Sequence, residues 1–234
     1  MVAVTENLIG VGLYSASEAA ALTGVPVASI RRWLQGYKYR RNGILRECAP
    51  VWAGDVLKIN GQLSLSFLDM MEARFIRYFR IHHISWQAIH EAACLACDMF
   101  KDSHPFTRGR FRTDGKRIFH QVEDSGKVKL FDMNRHSWVF NEIIESYLYA
   151  DVELFDDQVY RWFPIFPDRE IIIDPNIAFG RPILREEGIP TDVIAAAFSA
   201  NDSDVSAISR WYKIKPKSIK AAVSFEARRL RSCQ

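Results

Sequence analysis

The chain has 234 residues, 48% of them hydrophobic and 25% charged, and a formal net charge of +3. This length and apolar content predict a folded soluble protein with real cores. No segment approaches the roughly 20 apolar residues of a membrane span, and the N-terminus lacks the basic region and long apolar run of a secretory signal, so we expect a cytoplasmic protein.

The first strong pattern lies over residues 15–34, which have the spacing of a helix-turn-helix. Ser15 is a capping residue, and an alanine-rich helical run over 18–23 ends at Gly24, which tolerates the left-handed turn conformation. A second helix is predicted to begin after Pro26.

The second helix of this pair is amphipathic, and its exposed face is positively charged. The apolar face is predicted to hold Val27, Ile30, Trp33 and Leu34. No acidic residue occurs between Arg31 and Arg46, so the sequence predicts a nucleic-acid partner. The candidate DNA-binding residues are Ala28, Ser29, Arg31, Arg32, Lys38, Arg40 and Arg41. The helical arginines suit guanine edges and the later cations suit phosphates, whereas the alternative is an ordinary αα-hairpin with a solvated basic face.

Residues 36–60 predict a small β-wing. Two short apolar runs, Ile44-Leu45 and Val51-Trp52, are expected to pair, with Arg40 and Arg41 at the base of the wing. The basic residues would then lie beside the second helix.

Two further helices are predicted after the wing. The apolar spacing over 66–80 is helical, and Ser85 is expected to cap a helix over 86–100. A helix-turn-helix, a wing and two helices in this order are the layout of the MerR-type winged helix-turn-helix. Residues 1–101 resemble that family in the segments SASEAAALTGVPVASIRRWL and LSFLDMMEARFIRYFRIHHISWQAIHEA. The resemblance implies a DNA-binding domain.

Residues 102–168 predict a β-rich middle region. Asp114-Gly115 is a strong two-residue hairpin turn. Strands are predicted at 110–113, 116–119 and 127–133. A short helix over 137–149 and extended segments over 151–166 are expected to follow.

The last region, 169–234, predicts two short extended segments and three helices. The extended segments are 171–173 and 183–184, and the helices are 192–200 capped by Thr191, 204–212 after Ser203, and one that opens at Pro216. Residues Ile208, Ser209, Tyr212, Ile214, Ile219 and Ala222 repeat the spacing of Ala19, Ala20, Thr23, Val25, Ile30 and Trp33. This is a second candidate helix-turn-helix, with Lys213 at the position of Gly24.

The same region resembles a small antitoxin domain family, long catalogued as a domain of unknown function. The matching residues are Asp174-Pro175, Gly180-Arg181-Pro182 and Ile189-Pro190-Thr191. Together with the MerR-like N-terminus, the chain is similar to VapB-type antitoxins of the larger, two-domain kind. The resemblance implies a partner toxin with a PIN-like ribonuclease fold.

Cations of the C-terminal region are candidate toxin contacts. A PIN-like nuclease holds metal-binding carboxylates, with which an arginine fork pairs well. The candidate toxin-binding residues are Arg228, Arg229, Arg231, Lys217 and Lys220. The alternatives are that the arginines only end a helix, where cations suit the dipole, and that the lysines form a second phosphate footprint.

We expect no enzymatic activity, no cofactor and no metal. The chain has no phosphate-cradling glycine loop, nucleophile elbow or metalloprotease helix. His90, Cys94 and Cys97 share one helical face, but alanines surround them and cysteine commonly packs as a small hydrophobe. The four cysteines have no framework spacing and are expected to be reduced.

The sequence therefore predicts a mainly helical α+β protein in three parts. These are a MerR-like winged helix-turn-helix (1–101), a small antiparallel β middle region (102–168) and a C-terminal three-helix domain with a helix-turn-helix-like pair (169–234). The predicted function is that of an antitoxin which neutralises a PIN-like toxin and represses its own double-stranded operator DNA as a homodimer. The alternative is a stand-alone MerR-like regulator whose β-rich middle senses a small effector.

Overall fold

A computed structural model describes residues 10–55, 58–59, 61–108, 110–113, 116–124, 127–139 and 148–231 of the chain. Over these residues the fold is mixed α+β, with seven α-helices and several small antiparallel sheets. The helices are α1 (Ala16–Thr23), α2 (Val27–Gln35), α3 (Phe67–Ile81), α4 (Trp86–Phe100), α5 (Thr191–Ala200), α6 (Val205–Tyr212) and α7 (Pro216–Arg231). Within the described ranges, no helix combines the length and the apolar character needed to cross a membrane.

The strands are short and pair only with antiparallel neighbours. They are β1 (Tyr14–Ser15), β2 (Tyr37–Arg41), β3 (Ile44–Cys48), β4 (Ser64–Leu65), β5 (Arg110–Thr113), β6 (Ile118–Asp124), β7 (Lys127–Asp132), β8 (Ser137–Val139), β9 (Val152–Phe155), β10 (Gln158–Trp162), β11 (Ile171–Ile172) and β12 (Ile183–Leu184). Strands β5 to β8 form a meander in chain order, and β1–β4, β2–β3, β9–β10 and β11–β12 form two-stranded pairs. The meander confirms the three strands predicted in the middle region. The turn predicted at 114–115 lies outside the described residues.

Serine caps explain where the N-terminal helices begin. The Ser15 hydroxyl accepts a hydrogen bond from the backbone N–H of the third helical residue of α1, and Ser66 and Ser85 do the same for α3 and α4. Gly24 ends α1 in the left-handed conformation, at φ 71°. Helices α1 to α4 confirm the four helices predicted over residues 15–100.

The three C-terminal helices are also confirmed, but two of their predicted caps are wrong. Helix α6 is capped by the Asp204 carboxylate, which accepts from two backbone N–H groups, and not by Ser203. Thr191 is the first residue of α5 instead of its cap, because its hydroxyl donates to the buried Glu226 carboxylate of α7.

The helix predicted over 137–149 is wrong at its start. Residues Ser137–Val139 form β8, which pairs with Leu130–Asp132 of β7 and so extends the meander by one strand. Residues 140–147 of the prediction lie outside the described part of the chain.

Two apolar cores hold the chain together. The larger core joins α1 to α4 with the meander and the β9–β10 hairpin, and it contains Ile30, Phe75, Phe106, Phe111 and Trp162. The smaller core lies under α5 to α7 and contains Ile194, Ile208 and Ile219. The boundaries predicted at 101/102 and 168/169 stay predictions.

The two cores meet beside α1. Leu22 of α1 packs against both of them. The Tyr14 hydroxyl, just before α1, donates a hydrogen bond of 2.6 Å to the Gly180 carbonyl of the C-terminal region. The backbones of Trp162 and Ile173 exchange two hydrogen bonds, which extends the β9–β10 hairpin toward the same region.

Candidate nucleic-acid interface

The turn between α1 and α2 fixes the angle of the first helix pair. The Gly24 N–H donates to the Ala20 carbonyl at 2.8 Å, and Val25 is buried between the helices. A Cβ atom on Gly24 would lie 3.3 Å from the Arg77 guanidinium of α3. Glycine therefore suits this turn by conformation and by space.

Helix α2 has one buried face and one exposed cationic face. Ile30 and Leu34 are buried in the larger core. On the other side Ala28, Arg31 and Arg32 are exposed and Ser29 is half-buried. These observations confirm the predicted faces of the helix, and contact of this face with DNA stays a prediction.

The wing predicted from Ile44-Leu45 and Val51-Trp52 is wrong in its pairing. Strand β3 pairs instead with β2, and Arg41 lies opposite Ile44 beside the turn. The reason is Asn42-Gly43, which adopts positive φ angles of 52° and 79° and closes a tight hairpin. Arg40 and Arg41 therefore lie at the tip of the hairpin and not at its base.

Val51 and Trp52, the other half of the predicted wing, form a buried loop. The Trp52 indole N–H donates to Asp69 Oδ1 at 2.8 Å, and the side chain is 3% exposed. Burial with a specific acceptor explains why this apolar run does not form an exposed strand.

The exposed cations of this surface have few partners in the protein. Arg31 forms no hydrogen bond or ion pair with the described residues, and Arg32 lies with its guanidinium 5.8 Å from the centre of the Tyr37 ring. Lys38 is 3.7 Å from Glu47, and both side chains are mostly exposed. Arg40 is exposed, and the Arg41 side chain is not among those described. Positive charge therefore remains available to an anionic partner.

A polar cavity of about 410 Å³ lies beside the N-terminus of α1. Arg31 and Gln35 of α2 and Lys58 of the following loop line it, together with Ser15 and Ser17. The cavity brings Lys58 close to Arg31, which is one of the candidate DNA contacts.

A mostly buried polar cluster lies around Asp69 of α3. The sequence patterns did not predict it. The Asp69 carboxylate accepts hydrogen bonds from Trp52 and from the backbone of Ser66, and His104 Nε2 lies 3.1 Å from Asp69 Oδ1. Asp55 Oδ2 lies 3.5 Å from the same nitrogen. The cluster ties the loop after the hairpin to α3 and to residues 102–107.

Glu72 lies one helical turn beyond Asp69 and is fully buried. Its Oε1 accepts hydrogen bonds from the backbone N–H groups of Phe106 and Thr107. Burial raises the pKa of Glu72 to about 8, although His104 and the two N–H groups act in the opposite direction. Burial also lowers the pKa of His104, but the hydrogen bond to Asp69 and the charge of Glu72 outweigh it and raise that pKa above its ordinary value.

Metal-ligand spacing occurs at one place in the described residues. The side-chain oxygens of Asp55 and Asp69 and the His104 nitrogen lie within 4.8 Å of one another, and each takes part in the cluster described above. His90, Cys94 and Cys97, which the sequence places on one helical face, do not form a metal-ligand group among the described residues. Burial raises the pKa of Cys97 to about 11, which keeps it a thiol at neutral pH.

The second helix pair, α6 and α7, repeats the turn, but two of its lysines are paired with carboxylates. Lys213 adopts φ 56° and its N–H donates to the Ser209 carbonyl, as Gly24 donates to Ala20. Lys215 lies 2.6 Å from Glu186, and Lys217 is paired with Asp168 and Glu170. Acidic neighbours thus offset the lysines where α7 begins.

The candidate toxin-binding residues lie at opposite ends of α7. Lys217 and Lys220 are on its first turns, whereas Arg228, Arg229 and Arg231 are on its last turn. Arg229 pairs with Glu226 at 3.1 Å, and Arg228 and Arg231 donate to carbonyls of their own helix. A helix rise of about 1.5 Å per residue separates the two groups by roughly 15 Å, so the structure does not bring them together.

Comparison with known proteins gives one family match. The family described as "Protein of unknown function (DUF433)" matches residues 171–225. The matched segment covers β11, β12, α5, α6 and most of α7. It contains Asp174-Pro175, Gly180-Arg181-Pro182 and Ile189-Pro190-Thr191, which carry the resemblance of this region to the antitoxin domain family.

One sequence match and one structure match extend over most of the chain. A protein of Mycobacterium tuberculosis named "Putative antitoxin VapB45" is 23% identical over 227 residues, which cover 91% of this chain and 93% of that protein. The crystal structure of Rv2018 from Mycobacterium tuberculosis matches with a TM-score of 0.63 at 19% identity, over 92% of this chain and 99% of that chain. The second likeness shows a shared fold.

Proposed function

We propose that this chain is a non-enzymatic antitoxin of a type II toxin–antitoxin pair, and that it binds its own operator DNA as a transcriptional repressor. The observation that carries the DNA-binding part is the exposed face of α2, where Arg31 and Arg32 have no acidic partner among the described residues. Helix α2 enters the major groove as the reading helix of a MerR-like winged helix-turn-helix, and hairpin β2–β3 is the wing.

The antitoxin part is supported by likeness along almost the whole chain. The relative named as an antitoxin aligns with 91% of this chain. In the proposal the C-terminal three-helix region binds a toxin with a PIN-like ribonuclease fold. An arginine at the end of α7 would pair with the carboxylates of the nuclease site, and Arg228, Arg229 and Arg231 are the candidates.

The operator complex is proposed to contain a homodimer. A two-fold dimer matches a palindromic operator with one reading helix per half-site. Size-exclusion chromatography with light scattering tests this, and a strictly monomeric mass with and without DNA would contradict it.

DNA binding is tested on duplexes that tile the sequence upstream of the reading frame. We expect one tile to bind the full chain, with an affinity that falls on a log–log salt plot with a slope of about −5, because about six phosphates are neutralised. A slope near zero on every tile would remove the DNA-binding proposal.

Co-expression with the neighbouring reading frame tests the antitoxin part, with a stable complex and relief of toxicity as the expected result.

A second candidate function is a stand-alone MerR-like regulator with a small effector. The observation in its favour is a cavity of about 310 Å³ lined by Asp55, Phe67, Phe155, Tyr160 and Asn176, which belong to the N-terminal, middle and C-terminal regions. A toxic neighbouring reading frame that this chain neutralises would decide against the regulator.

A further inference from the structure

The tip of hairpin β2–β3 carries large apolar side chains that do not belong to any core. Ile44 and Leu45 are each 61% exposed, and neither is in a buried cluster of the described residues. A two-stranded hairpin with this exposure gains little stability from its own contacts in water. These side chains therefore suit a surface that is covered on binding.

The hairpin and helix α2 form one continuous surface. The Arg32 guanidinium lies 5.8 Å from the centre of the Tyr37 ring, and the rings of Tyr37 and Tyr39 are 5.8 Å apart. Both tyrosines are exposed. The row of rings connects the reading helix to the tip, so a ligand held by α2 would also meet the hairpin.

The chemistry of this surface fits a polyanion. The register places Arg40 opposite Leu45 and Tyr39 opposite Arg46. The one acidic residue of the hairpin sequence is Glu47, and it lies opposite Lys38. Because side chains alternate between the faces of a strand, this pair lies on the other face from Tyr39 and Arg46. The aromatic face, which also carries Ile44, is therefore cationic without an acid, whereas Leu45 shares the other face with Lys38 and Glu47.

We propose that Ile44 and Leu45 enter the minor groove next to the major groove bound by α2, and act as an apolar wedge that opens and kinks one base step of the duplex. The proposal rests on DNA binding by the first helix pair. Apolar side chains inserted between base steps from the minor groove bend DNA by roughly 20–90°. Arginines beside them are attracted by the negative potential of a narrow groove.

The size of the hairpin agrees with this placement. Strands of five residues are about 17 Å long, and half a turn of duplex DNA also measures about 17 Å. The tip projects into open space, because a Cβ atom added to Gly43 would meet nothing within 4 Å. A tip of this kind reaches across one phosphate backbone into the neighbouring groove.

The test uses the full chain and the upstream duplex that it binds most tightly. The Ile44→Ser/Leu45→Ser double variant removes the wedge without a change in charge, and Leu230→Ser, at a residue 69% exposed at the far end of α7, is the matched control. Circular-permutation gel shifts measure the bend, and anisotropy at several salt concentrations measures affinity. We expect the double variant to lose more than half of the bend angle and to bind about tenfold more weakly, with the salt slope unchanged.

Several results would overturn the wedge. A double variant that bends and binds DNA as the parent chain does would end it, while DNA binding by the first helix pair would stand. A double variant that turns a dimer into a monomer would assign the tip to contact between two copies of the chain. Failure of the parent chain to bind any tile would remove DNA binding and the wedge together. Retention of the bend by Ile44→Met/Leu45→Met would support the wedge, because methionine keeps the apolar volume.

Discussion

The two helix pairs share a turn and differ in the charge that they present. In both, a left-handed residue closes the turn by donating its N–H to a carbonyl of the preceding helix, Gly24 in the first pair and Lys213 in the second. In the first pair the arginines of α2 are exposed and lack acidic partners among the described residues, whereas Lys215 and Lys217 of the second pair are held by carboxylates. The comparison teaches that two helix pairs with the same turn geometry can differ in the charge that they leave available to a partner.

The largest expected effect comes from removing charge from each pair in turn. Arg31→Ala/Arg32→Ala should weaken binding to the upstream duplex roughly 50-fold and make the salt slope less steep by about two, because both arginines face the DNA in the proposed complex. The matched variant Lys215→Ala/Lys217→Ala should change affinity less than about twofold, because acidic neighbours already offset these lysines. Anisotropy titrations measure both, and equal losses would erase the distinction between the pairs.

The next largest effect concerns the buried cluster of Asp69, Glu72 and His104. Glu72 has a pKa of about 8 in the folded chain and an ordinary value when unfolded, so between these values the unfolded chain has lost a proton that the folded chain retains. Stability must then fall as pH rises, by about 2 kcal/mol between pH 6 and pH 8. The raised pKa of His104 acts in the same direction, because its contribution is lost as pH rises through the folded value.

Urea unfolding of the parent chain and of Glu72→Gln measures this dependence. The glutamine keeps an acceptor for the N–H groups of Phe106 and Thr107 but does not titrate. Its stability should change less with pH. A pH dependence as steep as that of the parent chain would show that Glu72 is not its origin.

The third prediction concerns a substitution of the turn residue in each of the two helix pairs. Gly24→Ala should cost about 1–2 kcal/mol, because alanine resists the left-handed conformation and its Cβ would lie 3.3 Å from the Arg77 guanidinium. Lys213→Gly should stabilise the chain by roughly 0.5 kcal/mol, because relief of the left-handed strain exceeds the added freedom of the unfolded chain. Denaturation midpoints should therefore shift in opposite directions, and shifts in the same direction would contradict the shared turn.

The smallest expected effect tests whether the acidic neighbours alone prevent DNA binding by the second helix pair. Asp168→Asn/Glu170→Gln/Glu186→Gln frees Lys215 and Lys217. Non-specific DNA binding at low salt should then rise about threefold, because two more cations become available to phosphates. No rise would mean that the shape of this surface, and not its charge, keeps DNA away.

The helices could be predicted from sequence because their signals are local. Ser15, Ser66 and Ser85 each cap a helix through a hydrogen bond to a backbone N–H group only three residues away. Gly24 ends α1 by its own conformational freedom. Patterns of this range need no information about the rest of the chain.

The pairings that failed depended on distant partners. Val51-Trp52 looks like a strand, but its indole is held by Asp69 of α3, and Ser137–Val139 follows β7 instead of starting a helix. The cluster of Asp69, Glu72 and His104 joins residues more than 30 positions apart, so no spacing rule could reveal it. The exposed arginines of α2 were predictable, whereas the carboxylate partners of Lys215 and Lys217 were not.

The hydrogen bond from Tyr14 to the Gly180 carbonyl means that the family segment is not held by its own residues alone. The segment, residues 171–225, begins inside a backbone pairing with Trp162 and contains a turn anchored by a tyrosine far upstream. A truncated chain that begins at residue 171 would lack both anchors, so the boundary of the sequence match is not the boundary of the contacts that hold the segment in place.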